Sequence, residues 1–201
     1  MQDRIDNPGR TRWRRFAAMM VPAAAAVGSI LFGMQSGAIA ADITVSGQTF
    51  KIRADRLEGD GFRQYGGIVK EKDGTSHPVA LSEIDSAELY KLCQSVRADL
   101  PGLPVVLTIN AGDDEPATAK NLMIAMDTLE GNASFTNIRI GRDASDLNPT
   151  AQAGSFGQSS EKVTIHGLRQ VSRYTTAATF NLTGLRLKVN VGDEAEGKEC
   201  F

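Results

Sequence analysis

Apolar residues in this chain recur at every second position. Phe50, Ile52 and Ala54 alternate with Lys51 and Arg53, and Leu185, Leu187 and Val189 alternate with Arg186 and Lys188. Val163-Thr164-Ile165 and Thr179-Phe180-Asn181-Leu182 repeat the pattern. Period two sends successive side chains to opposite faces of a pleated sheet, so each stretch buries one face and wets the other. Val105-Val106-Leu107-Thr108-Ile109 adds a run rich in β-branched residues. Gly, Asn and Asp separate these stretches, as hairpin turns require. The expectation is an all-β fold, one domain of antiparallel strands with bulged hairpins, arranged as a sandwich or an extended curved sheet.

One segment carries two patterns. In residues 85–96, Leu89, Leu92, Cys93 and Val96 fit a helix face, and Asp85 with Glu88 fits a capping box. The same letters also read Ala87-x-Leu89-x-x-Leu92-x-Gln94, which matches Val163-x-Ile165-x-x-Leu168-x-Gln170. Looser copies are Ile124-x-Met126-x-x-Leu129 and Phe180-x-Leu182-x-x-Leu185. A two-residue step followed by a three-residue step is what a bulged strand writes. Strand is therefore preferred to helix over residues 86–97.

A second repeat is sharper. Asp55-Arg56-Leu57-Glu58-Gly59-Asp60 returns as Asp127-Thr128-Leu129-Glu130-Gly131-Asn132, each followed by a Phe, Phe62 or Phe135. Gly59-Asp60-Gly61 and Gly131-Asn132 tolerate positive φ. Each copy is expected to be a hairpin or bulge, with Leu57 and Leu129 inward and Glu58 and Glu130 outward. Glu58 with Asp60, or Glu130 with Asp127, could pair as catalytic carboxylates, but turn residues beside a carboxylate are ordinary hairpin content. Phe62 and Phe135 belong to a core or line a groove. No D-x-[DN]-x-[DN]-G calcium loop is present.

The first forty residues read as an export signal. Arg10, Arg12, Arg14 and Arg15 precede Phe16–Met34, which carries no charge, and Ala38-Ile39-Ala40 forms an A-x-A exit. Cleavage is expected after Ala40, leaving a β-rich domain at residues 41–201; the alternative is an uncleaved anchor helix. Trp13-Arg14-Arg15-Phe16 is a faint twin-arginine hint. Either route puts the domain outside the cytoplasmic membrane, secreted or in the cell envelope. Without residues 1–40, Lys plus Arg falls from 22 to 17 and Asp plus Glu from 24 to 22, so the balance moves from −2 to −5. That argues against nucleic acid and against simple attraction to anionic headgroups.

Cys93 and Cys200 are the two cysteines. An exported chain with two cysteines pairs them, and neither a C-x-x-C spacing nor a nearby His supports a metal or redox pair. The expected disulfide ties down the polar tail Asp193–Glu199.

A catalytic set is harder to find. No G-x-S-x-G elbow exists; Gly154-Ser155-Phe156-Gly157-Gln158-Ser159-Ser160 comes nearest and lies in the long polar stretch 142–160, read as a mobile excursion. The two histidines, His77 and His166, read as surface residues at or beside strands, and their spacing makes no zinc site. Residues 110–116 read as a solvated acidic loop. Neither metal nor cofactor is expected.

The Arg12-Trp13-Arg14-Arg15-Phe16 start, Tyr65-Gly66-Gly67 after Gly61-Phe62, the block Leu92-Cys93-Gln94-Ser95-Val96 and the ending Lys198-Glu199-Cys200-Phe201 together resemble a family of exported actinobacterial proteins, common in streptomycete-like genomes, of unknown function. Many members carry the label cholesterol esterase. The resemblance runs from Arg10 to Phe201 and implies an envelope or secreted location and an association with lipid. It transfers no catalytic residue. Two functions follow as expectations. The first is a binding module for an apolar lipid or a membrane protein. The second is a steryl-ester esterase, with Ser155, Ser159 or Ser160 as nucleophile and His166 or His77 as base. The first is preferred because catalysis needs convergent groups.

Overall fold

A computed structural model describes residues 44–100 and 103–201. Residues Asp42–Phe201 form a compact unit by themselves. The signal-peptide reading of residues 1–40 falls outside the described residues. The unit is almost entirely strand, as the alternation requires: β1 (Thr44–Val45), β2 (Phe50–Glu71), β3 (Ser76–Tyr90), β4 (Leu92–Leu100), β5 (Leu103–Ala111), β6 (Ala117–Thr136), β7 (Arg139–Asp143), β8 (Phe156–Thr176), β9 (Thr179–Asn181) and β10 (Arg186–Val191). One short helix, α1 (Ala144–Leu147), and a 3-10 turn at Gly192–Ala195 complete it. Residues 86–97 are strand, not helix.

All ten strands belong to one sheet, ordered β10-β5-β4-β2-β3-β6-β8-β7. Only β1 joins in parallel. The sheet curves until it closes, because β8 also pairs with β2. The strands β2, β3, β6 and β8 thus form a ring. Starting at Phe50, the pairings Phe50–Ser172, Ser172–Met126, Met126–Ala80 and Ala80–Gly66 return to β2 sixteen residues further on. So large a stagger on four strands means that they wrap steeply around the core. Leu57, Ile84, Leu122, Val163, Ile165 and Leu168 fill the inside.

Two creases let such long strands wrap. Pairs on either side of Asp55 set it level with Lys91 on one neighbour and Gly167 on the other. The Lys91 amide donates to the Gly112 carbonyl at 2.8 Å, and Gly131 lies across from Gly167 at a register shift. Along this line Lys91, Gly112, Gly131 and Gly167 all have positive φ. Six residues further along β2, Gly61 is level with Asp85 and Glu161, and beyond them with Asn121 and Asn137. Gly61, Asn121 and Asn137 also have positive φ. Each crease moves the inward set by one residue, which is why Leu89 and Leu92, or Ile165 and Leu168, are both buried.

The two LEG copies are therefore neither hairpins nor equivalent. Both lie inside long strands, one on either side of β8. Gly59 faces inward beneath Ile84, whose Cγ2 would stand 2.7 Å from an added Cβ. Gly131 sits on the crease itself, at φ 151°. Leu57 is buried as expected, but Leu129, expected inward, is 38% exposed beyond the register shift between Met126 and Thr128. Phe62 is buried with Phe135 against it, ring centroids 5.5 Å apart, so the pair packs into the core, and Phe62 also reaches the floor of a polar cleft beside Arg63 and Arg139.

The stretch 142–160, expected to be mobile, is pinned. Asp143 accepts hydrogen bonds from the Ser145 amide (2.9 Å) and the Gly154 amide (2.8 Å). The Ser145 hydroxyl, 2.8 Å away, and then these two amides hold its carboxyl below the usual range. Asn148 Nδ2 donates to Tyr65 Oη at 2.9 Å and to Glu83 Oε1 at 2.6 Å. Asp and Asn side chains here supply the partners that a loop backbone lacks.

The tail is held by a disulfide, Cys93–Cys200, whose Cα atoms are 5.8 Å apart. Polar contacts assist. The Cys200 amide donates to Ser95 Oγ, Thr108 Oγ1 donates to the Lys198 carbonyl, and Lys51 reaches both Glu199 and the Phe201 carbonyl.

Candidate binding surface

The expected chemistry is not assembled. Ser155 Oγ donates to the Gln152 carbonyl, and Ser160 Oγ, on β8, to the Lys162 carbonyl at 3.0 Å. Ser159 and Ser160 border a polar cleft of about 280 Å³ with Arg63, Arg139 and Arg142, and neither histidine lines it. His166 is six residues along β8 from Ser160, roughly 20 Å at strand rise. His77 pairs with Val69 while Ser160 pairs with Phe62, a comparable separation along β2. His77 is half-buried rather than free, its Nε2 2.6 Å from Glu71 Oε1. His166 lies on the exposed surface, as alternation indicated. A second cleft, about 310 Å³, gathers Glu58, Asp60, Glu88 and Lys162. Among the described residues no three His, Cys, Asp or Glu side chains are placed to hold a metal. The acidic loop is tied at Asp113 to Arg186.

The inside of the ring is full. Its cavity, lined by Leu57, Leu122, Leu168, Gln94, Gln170 and Thr175, measures about 10 Å³. That is room for a single water at most.

The surface that remains is where the sheet leaves the ring. Beyond β2 it continues as an open apron of β4, β5 and β10. Directly paired residues share a face. Ile52 pairs with Gln94, Gln94 with Ile109 and Ile109 with Leu187, so the row lining the ring's interior runs out onto the apron. The next row is Phe50, Val96, Leu107 and Val189, followed by Ala98, Val105 and Val191. At the apron's outer edge this apolar face is open: Leu187 is 58% exposed, Val189 52% and Val191 43%. Leu100 and Leu103 extend it at the β4–β5 end.

The opposite face is the covered one. It carries Ser95, Val106, Thr108 and Asn190, all buried, and the tail lies against it. The alternation in β10 was thus legible, but its polarity is inverted: the apolar side is wet. The signal that could have found this is the disulfide. Cys93 pairs with Asn110 and Asn110 with Arg186, so the bridge commits the tail to the polar face of β10.

Among the described residues no helix is long and apolar enough to cross a membrane. The disulfide fits an oxidising, extracellular setting. The profile of a family of unknown function, DUF6230, matches residues 46–201; the match brings neither an esterase label nor an organism. No curated protein and no solved structure matches the chain.

Proposed function

This chain belongs to the DUF6230 family, whose function is unknown, and from that premise we propose an exported, non-catalytic module that binds uncharged lipid on the open face of its apron. Export rests on the basic cluster, the apolar run Phe16–Met34 and the A-x-A exit, and the disulfide is consistent with it. The observation that carries the binding reading is the continuity of the apron's exposed face with the core-lining rows of the ring. A wet row of Leu187, Val189 and Val191 costs stability in water and repays it only when covered. Its composition favours lipid chains over a protein partner, since protein interfaces are enriched in aromatic residues and Arg, and this row is Leu and Val. The negative balance of residues 41–201 points to uncharged headgroups.

Flotation of purified residues 41–201 with phosphatidylcholine vesicles tests this. The domain should rise with the vesicles. The double variant Leu187→Ser, Val189→Ser should bind roughly 30-fold more weakly, the loss of two partly exposed aliphatic side chains at ~1 kcal/mol each or more. A wild-type domain that stays at the bottom of the gradient would overturn the proposal, as would a double variant that floats equally well.

A further inference from the structure

We propose that a second copy of this chain pairs along the free edge of β10, antiparallel and two-fold symmetric, with Val189 facing Val189. The inference shares the apron with the proposed function but uses its hydrogen-bonding edge instead of its face. Among the described residues β10 pairs with β5 alone, so its other edge presents unpaired amide and carbonyl groups. Such an edge is a template for another strand. Two of the usual guards are missing: Arg186–Val191 contains no proline, and its register with β5 is unbroken over all six residues; the charges it does carry, Arg186 and Lys188, restrict which register a partner can take.

The register follows from the residues. Opposed residues share a face, so a two-fold pairing about any one residue keeps the apolar sets of both copies on one side. Centring on Lys188 sets that lysine against itself. Centring on Leu187 sets Arg186 against Lys188. Like charges directly opposed are unfavourable. Centring on Asn190 runs at once into the 3-10 turn that begins at Gly192. Centring on Val189 pairs Leu187 with Val191 and Lys188 with Asn190, with no like charges opposed. The two aprons then join into one six-stranded apolar platform, and the wet row of β10 becomes its middle.

Sedimentation velocity on residues 41–201 should show a dimer that dissociates on dilution. Val189→Lys brings two charges together at the axis and should yield a folded monomer, with its strand signal in circular dichroism unchanged. Val189→Cys should form an intermolecular disulfide on mild oxidation, because the native cysteines are bonded to each other. Leu187→Cys, no less exposed, faces Val191 and should not. A wild-type domain that stays monomeric at the highest soluble concentration overturns the pairing, as does a dimer that survives Val189→Lys. Equal cross-linking through Leu187→Cys overturns it too. The vesicle assay separates the two proposals. A monomer whose flotation still depends on Leu187 and Val189 removes the pairing and leaves the binding face. A dimer that binds no vesicles does the reverse.

Discussion

Tyr65 is the residue at which one proton is tied most closely to the fold. Its hydroxyl donates to Glu83 and accepts from Asn148. Burial first, and the Glu83 carboxylate second, raise its pKa above the ordinary tyrosine value. The native state therefore keeps this proton longer than the unfolded chain does. The stability linked to it is whole below the unfolded value, near ~10, and is lost as pH rises above that. Tyr65→Phe should lower stability by about 1 kcal/mol at neutral pH and flatten the alkaline limb of a melting-temperature profile. Asp143 has the opposite sign. The Ser145 hydroxyl and amide and the Gly154 amide hold its carboxyl low, so the contribution is present at neutral pH and lost as pH falls through the folded value. Hydrogen exchange at the Ser145 and Gly154 amides should accelerate in acid, and Asp143→Ala should show the fast exchange at all pH values. Glycines can be sorted in the same way. Gly131 has φ 151°, and an added Cβ would stand 2.7 Å from Ile165 Cγ2. Gly131→Ala should cost about 2–3 kcal/mol in chemical unfolding. Gly66 has open space around it and no positive φ, so Gly66→Ala should be neutral or gain ~0.5 kcal/mol. None of this was readable from the letters: Gly59 and Gly131 occupy the same place in a sequence repeat and different places in the sheet.

At the scale of elements, of the hairpin or bulge that Gly and Asp suggested, the bulge is what the Gly131 copy shows, at the register shift between Glu130 and Asn132, and neither copy is a hairpin. Turn residues mark positive φ in a sequence, but not whether the chain reverses there or continues as a bent strand. The stepped pattern was more informative. In Ala87–Gln94 the three-residue step coincides with Lys91, where β3 gives way to β4 with the register against β2 unbroken, and in Val163–Gln170 with Gly167, at a register shift against β6; the apolar residues of both copies are buried. In the looser copies Leu129 and Leu185 are exposed, because one lies past a register shift and the other on the loop after β9. Closure of the sheet was illegible for a different reason. Alternation reports which face a side chain takes and not which strand lies beside it, so a sandwich and a curved sheet write the same pattern. The candidate face was half legible: the strand at Arg186–Val191 was clear, and its exposure depended on where the tail lies. Lys91 supplies an element-scale test. At φ 50° it is the exposed link between β3 and β4, a place in a β-rich stretch where propensity alone would recommend valine. A β-branched residue there is a steric outlier. Lys91→Val should lose at least ~2 kcal/mol, while Ser86→Val, exposed on β3 with ordinary φ, should stay within about 0.5 kcal/mol.

At the largest scale, the described residues combine a closed ring, an open apron and a tail bonded across the apron's covered side. The disulfide spans 107 residues, and a bridge over so long a loop stabilises by up to ~4–5 kcal/mol in the loop-entropy model. Replacing both cysteines by serine should lower the melting temperature and expose the tail to protease before the ring opens, because the ring's pairings do not involve the tail. Ser95 and Thr108 would lose the partners that the tail gives them. The ring has a further consequence, in time rather than in space. A growing or translocating chain presents its N-terminus first, so β2 meets β3 early through a local turn. The partner for its other edge comes last: Phe50 waits for Ser172, and Phe62 for Ser160. Until β8 has emerged, the interior built on Leu57 and Ile84 lacks Val163, Ile165 and Leu168 and stays open. A chain ending at residue 155 should accordingly show no cooperative unfolding transition, whereas residues 41–201 should show one. The ring is thus closed by the last of its four strands to be made, and on the export route proposed above a chain still emerging keeps its interior open until β8 arrives.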